Sequence, residues 1–220
     1  TVGLKPGITN AAVDHFRIRV HGKSTHVSTP HLGVDALYIA SQIVVAVQGL
    51  VTRRTSPTEP VIIGIGKLNA GTTYNAVAAF AEMEGTTRTI SQESRDRVRA
   101  QVSETAQSIA ALYGGTAEVE WTDFAAALVN DPQVCEEAAR VVDELLGAGH
   151  VVTDRELSLS GDNFAEFELY KPGAYAYLGT GNPDLPHTMI TNHNGGFDVD
   201  ENALVTGAGL YVGYTVARLG

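Results

Sequence analysis

The run His21-Gly22-Lys23-Ser24-Thr25-His26-Val27-Ser28-Thr29-Pro30-His31 sets three histidines and a proline in a short connection. Hydrophobic patterning predicts a strand over 13–20 before it and an apolar helix over 37–51 after it. Connections held by rigid elements commonly present functional side chains. His26 lies inside the connection and has two readings. Its imidazole is either satisfied by local backbone or free to hydrogen-bond an oxyanion, an interaction worth about 3–4 kcal/mol in acyl-transfer chemistry. His31 follows Pro30 and could support the same loop, whereas His21 ends the strand and reads as structural. Asn75 closes a glycine-led turn, and Arg88 sits in a strand thirteen positions later. His193 lies among Asn192, Asn194, Gly195 and Gly196, and one histidine does not define a metal site, because zinc takes three or four converging ligands. Cys135, beside Glu136 and Glu137, has no Cys-x-x-Cys or Cys-x-His companion and reads as a small packing residue.

The elements that must position these residues follow from periodicity and punctuation. Val13, Phe16, Ile18 and Val20 mark the first strand, and the helix after it runs from about Asp35 to Arg53 and Arg54. Ser56-Pro57-Thr58-Glu59-Pro60 is a turn cluster, and strands are expected over 61–66 and 78–89. Ser91 is a credible N-cap for a helix carrying Val98, Val102, Ala106, Ile109 and Leu112 on one face. A strand over 116–122 completes the order β-α-β-β-α-β, the split βαβ, ferredoxin-like pattern. Beyond a seam between Trp121 and Asp131 the character changes. Asp131-Pro132 opens a helix to Leu146, a turn and short helix cover 160–167, a short strand covers 174–179, and Asp200 caps a glycine-rich helix over 202–219.

Composition narrows the function classes. The chain has 220 residues, is 44% hydrophobic, and carries 15 basic against 25 acidic residues, a formal charge of −10 with no basic cluster. Such a balance argues against nucleic acid or an anionic membrane as partner. The apolar stretch from Ile39 to Val51 is too short and too polar to be expected in a bilayer. One cysteine excludes an intrachain disulfide, and with no visible signal peptide a cytoplasmic location is the expectation. Thr1 to Gly7 read as a connection, so the N-terminus is expected to be a cut one.

Five patches, in order along almost the whole chain, resemble the aminoacylase/carboxypeptidase family of dinuclear metal-dependent amidohydrolases, in its hippurate hydrolase and auxin-conjugate amidohydrolase branch. They are the His21–Ala36 run, Gly71-Thr72-Thr73-Tyr74-Asn75-Ala76-Val77, Glu84-Gly85-Thr86-Thr87-Arg88-Thr89, Gly161-Asp162-Asn163-Phe164-Ala165 with Pro172-Gly173 and Leu178-Gly179-Thr180-Gly181, and His193 ahead of Phe197-Asp198-Val199-Asp200-Glu201. The resemblance implies an α+β chain. Residues 13–122 would be a ferredoxin-like lid and dimerisation domain. Residues 1–12 and 123–220 would be the C-terminal portion of an α/β metallohydrolase domain whose N-terminal portion is absent. It implies hydrolysis of an N-acyl-amino acid or peptide amide beside a free carboxylate. His26 would steady the oxyanion across a homodimer, Asn75 and Arg88 would hold the carboxylate, Gly161 would line the substrate site, and His193 would ligate a divalent metal (zinc, with manganese or cobalt as alternatives).

The resemblance also has breaks. The family's cysteine-x-histidine, paired-glutamate and further histidine motifs are missing, and neither Glu136-Glu137 nor Glu166-x-Glu168 stands in the right context to replace them. The chain alone is therefore expected to be inactive and to need a separate N-terminal half. Asp162-Asn163 stands where the family has Glu-Asp, a change in support for the site. Without that other half, the apolar face of the last helix should be exposed. The alternative is a non-catalytic dimerisation or small-metabolite-binding module derived from the same family.

Overall fold

A computed structural model describes all 220 residues, which divide into two compact units: Asn10–Ala127 with Ser158–Ala165, and Thr1–Thr9 with Leu128–Leu157 and Glu166–Gly220. In chain order the elements are β1 (Val2–Gly3), β2 (Gly7–Asn10), β3 (Ala12–His21), α1 (Ala36–Gly49), β4 (Ile62–Ala70), β5 (Phe80–Thr89), α2 (Gln92–Leu112), β6 (Thr116–Ala125), β7 (Leu128–Asn130), α3 (Pro132–Leu146), β8 (Val151–Val152), α4 (Ala165–Glu168), β9 (Tyr177–Leu178) and α5 (Asn202–Leu219).

The first unit is an antiparallel four-stranded sheet in the order β4-β5-β3-β6, the ferredoxin-like arrangement. Strand alternation sorts its residues. Phe16, Ile18, Val20, Ala81 and Met83 point to one face and meet Ile39, Ile43 and Val47 of α1 and Val98, Val102 and Ala106 of α2. Asp35 caps α1 by accepting from the Leu37 and Tyr38 N–H groups, and Ser91 caps α2 through the Ser94 N–H. The stretch Ala36–Arg54 is long and apolar enough to cross a bilayer by length and composition, yet Ala36, Ile39, Ala40, Ile43, Val47 and Leu50 are buried in this core. The α-helix stops at Gly49, short of the expected end, and the chain continues to Arg54 as one wider π turn.

The core also contains one ion pair. Asp14 lies in the inward row of β3, and its carboxylate accepts from Arg95 Nε at 3.0 Å and from Nη2 at 2.6 Å, with both residues buried. On the opposite, open face, Arg17 and Arg19 alternate with Glu82, Glu84 and Glu120 of the flanking strands. Lys67 and His15 both reach Glu84, at 2.7 and 3.1 Å, and hold its carboxyl down to about 2, Lys67 contributing most.

In the second unit β1 lies between β8 and β9. The opening residues are therefore a central strand rather than a connection, because Val2 and Leu4 bury themselves with Ala138 and Val142 of α3. Asp131 caps α3 through the Gln133 and Val134 N–H groups, with Pro132 in the first turn. Buried Asn130 donates to the Lys5 and Tyr175 carbonyls and accepts the Tyr175 N–H, fastening β7 to two distant segments. α5 lies against α3 where Gly213 admits Val141: a side-chain carbon at 213 would sit 2.6 Å from Val141 Cγ1. Its N-cap is Glu201, without a side-chain bond, while Asp200 one residue earlier accepts the Asn202 N–H. No α5 residue is buried, and Leu204, Val205, Tyr211, Val212, Val216 and Leu219 form an exposed apolar stripe.

The sequence assigned 1–12 and 123–220 to one part. In the structure Asn10–Ala12, Asp123–Ala127 and Ser158–Ala165 go with the first unit, where the Ala11 N–H donates to the Ser158 and Ser160 carbonyls.

Two outcomes follow from this packing. Asp14→Ala leaves the Arg95 guanidinium buried without its main partner, and urea unfolding should show a loss of about 3–5 kcal/mol. The depressed Glu84 carboxyl contributes stability that is present above its ordinary value of 4.5 and is lost as the pH falls toward about 2. Melting temperature should drop across that window, and Glu84→Gln should remove part of the drop.

Candidate functional site

The connection after β3 is tied to the turn before β5. The Val27 N–H donates to the Asn75 carbonyl at 3.2 Å, the Val77 N–H donates to the Thr25 carbonyl at 2.8 Å, and His26 bridges Ala76. Gly71 starts this turn at φ 74°, and the Thr73 hydroxyl donates to Asn75 Oδ1, which leaves the Asn75 amide N–H₂ free. The His26 side chain is exposed. The Ser28 N–H donates to its Nδ1 at 3.2 Å and the Ser28 hydroxyl stands 2.7 Å from the same atom. An Nδ1 that accepts assigns the proton of the neutral ring to Nε2, so His26 presents an outward N–H donor. His31, in the short turn Pro30–Leu32, is exposed. His21 stays at the strand end beside Phe80, with Nε2 3.8 Å from Glu118.

Arg88 and Gly161 occupy a different place. Arg88 stands on the open face of β5, paired across to Val13 and Ile62, and makes no hydrogen bond or ion pair. Gly161 lies on Val13, where a side-chain carbon would come within 2.4 Å of Val13 Cγ2. Asp162 uses its carboxylate to accept the Phe164 N–H, and Asn163 is exposed. Eight residues of β5 separate Phe80 from Arg88, roughly 26 Å of extended strand. Within one chain, then, His26 and Asn75 share one end of the sheet and Arg88 and Gly161 share the other. One carboxylate cannot reach both Asn75 and Arg88 of the same chain.

His193, in the second unit, is exposed and is the one non-glycine residue with a positive φ, 62°. Such a conformation is sparsely populated and places the imidazole at the tip of a turn. Nowhere do three histidine, cysteine, aspartate or glutamate side chains converge. These residues do not by themselves fit a dinuclear metal, and an ion held by His193 would draw its other ligands from outside them. His187 stands 3.8 Å from Asp198 on the surface. Cys135 is buried, and desolvation raises its thiol first, with Asp131 adding to the effect, consistent with a packing role. Two features escaped the sequence reading, the Glu84-centred lattice and Asn130. Period-two charges over Arg17, Arg19, Glu82 and Glu84 carried a signal for the first; nothing local signalled the second.

Residues 9–113 match the peptidase dimerisation domain of the M20 family. The chain is 35% identical over 205 residues to an N-acetyl-L-cysteine deacetylase of Bacillus subtilis, covering 93% of this chain and 47% of that one. It is 34% identical to thermostable carboxypeptidase 1 of Saccharolobus solfataricus, covering 93% of this chain and 51% of the relative. Among solved structures, a dinuclear metal-binding M20 peptidase from Bacillus subtilis superposes with TM-score 0.78 at 27% identity, over 99% of this chain and 53% of that one. A methicillin-resistant Staphylococcus aureus structure described as an aminohydrolase gives TM-score 0.90 at 27% identity, over 99% and 55%. The chain thus spans about half the length of the curated relatives it matches. Residues 9–113 thus match the M20 peptidase dimerisation domain, and the chain as a whole is similar to M20 peptidases and amidohydrolases.

Proposed function

We propose that this chain is the lid and the closing portion of a metal-dependent amidohydrolase that cleaves an N-acyl or peptide amide beside a free carboxylate. Similarity to a deacetylase of an N-acyl amino acid and to carboxypeptidases supports that substrate class. In this reading the unit built on 13–122 is the dimerisation lid, and the other unit, Thr1–Thr9 with Leu128–Leu157 and Glu166–Gly220, belongs to the catalytic domain. The observation that carries the proposal is the separation of His26 and Asn75 from Arg88 by the length of β5, which favours a site composed of two protomers.

The sheet edges say how. β6 presents Glu118 and Glu120 along its edge, whereas β4 presents Ile62 and Leu68. Antiparallel pairing of β4 with its copy about a two-fold axis sets the Ala70 end of one protomer beside the Ile62 end of the other. Ile62 pairs with Arg88, and Ala70 leads into the Asn75 turn. His26 and Asn75 of one protomer thereby approach Arg88 and Gly161 of the other. In that composite the Arg88 guanidinium and the Asn75 amide hold the carboxylate, and His26 Nε2–H donates to the oxyanion as it forms. A divalent metal (zinc, manganese or cobalt) would take His193 as one of its ligands. A second reading, a non-catalytic dimerisation or metabolite-binding module, is favoured by the absence of any convergent ligand cluster in these residues.

Mixing variants of the complete enzyme separates the two readings. His26→Ala should lower turnover by roughly 10²–10³-fold with KM nearly unchanged, and Arg88→Gln should mainly raise KM. Each homodimer then has two defective sites. A heterodimer gathers both defects into one site, so an equimolar mixture assayed at subsaturating substrate should recover roughly a quarter of wild-type activity. No recovery would mean the residues act within one chain. No turnover by the wild type, with dimerisation kept and no bound metal by elemental analysis, would identify the module.

A further inference from the structure

On the open face of the lid sheet, a shallow trough of about 450 Å³, widely open to solvent, runs along β4 and β5, and its lining includes His15, Gly64, Gly66, Lys67, Glu84 and Thr86. Neither Gly64 nor Gly66 has a positive φ, and a side-chain carbon built on either would meet nothing within 4 Å. Glycine inside a strand costs about 0.5–1 kcal/mol relative to alanine, and an open pleated surface favours β-branched residues. Gly64 is in regular pairing with Thr86, so the fold has no need of glycine there, whereas Gly66 falls at the irregularity between Ile65 and Lys67. Their effect is to keep the trough open.

Arg88 stands at the mouth. It lies two residues beyond Thr86 on the same face, with Gly64 paired to Thr86 and Ile62 to Arg88, so Gly64 sits roughly 7 Å from Arg88 along the strand. The neighbouring acids are already committed: Glu82 to Arg17 and Arg19, and Glu84 to Lys67, Arg17 and His15. The free guanidinium is thus left for an anion from outside, and the far wall of the trough offers no unpaired charge.

We propose that this trough is a specificity pocket of the hydrolase, receiving the side chain on the carbon next to the substrate carboxylate. With that carboxylate on Arg88, an aliphatic side chain of leucine or methionine size lies over Gly64 and Gly66, and alanine leaves the space unfilled. The inference rests on the carboxylate-binding role proposed above for Arg88.

The test is an NMR titration of the 220-residue chain with N-acetyl-L-leucine and N-acetyl-L-alanine, following the Gly64, Gly66 and Arg88 amides. Wild type should bind the leucine compound roughly tenfold more tightly. Gly64→Val should melt at a higher temperature and lose that preference; Gly66→Val gives the same reading should the first variant fail to fold. Equal affinity of wild type for the two compounds, or a preference that survives both valine variants, overturns the pocket. Arg88→Gln separates the two levels, since it should weaken both compounds together. If it does so while the preference survives both valine variants, only the pocket is wrong. If it leaves both affinities unchanged, the carboxylate role fails and the pocket with it.

Discussion

The antiparallel register of β5 between β3 and β4 is the constraint on which the rest depends. It sets Arg88 against Val13 and Ile62 at one end of the sheet and Phe80 against His21 at the other. It also decides which side chains face the helices and which face outward, because a slip of one residue would exchange the two sets. The buried Asp14–Arg95 pair ties α2 to the central strand and penalises a β3 register that would turn Asp14 outward. An unpaired charge in that core would cost far more than a misplaced methyl group.

Much of this was legible from residue types alone. The alternation of Phe16, Ile18 and Val20, the caps Asp35, Ser91 and Asp131, and the order β-α-β-β-α-β all express local rules, and the lid follows them. Elements that escaped were those whose order comes from distant partners. Val2–Gly3 is too short to display a period, and it becomes a strand only because β8 and β9 flank it. Gly147 and Gly149 stop α3 visibly, but nothing in the next residues says that Val151 will pair with Val2.

The functional residues divide in the same way. His26 and Asn75 were each legible because their loops carry recognisable motifs, but the Val27–Asn75 backbone bond that makes them neighbours was not. Their distance from Arg88 was not legible, since thirteen positions of sequence say nothing about which lie in a turn and which run along a strand. His193 lies in a segment where no other ligand-type side chains cluster, so its motif conveys more than its surroundings do. The open stripe of α5 is different: both its helix and its exposed apolar face were expected from the sequence, and the structure adds that Leu210 and Tyr214 on its other side pack with α3.

The two edges of the lid sheet differ in what they permit. Along β6, Glu118 and Glu120 would each meet a like charge if another copy approached edge to edge, and repulsion between directly opposed carboxylates discourages pairing there. β4 has no such guard beyond Lys67 and the irregularity between Ile65 and Lys67. A sheet with one permissive edge and one repellent edge can be joined once and no further. Growth into a ribbon, the hazard of any exposed strand, is thereby blocked by two acidic residues that take no part in holding the lid's own core together.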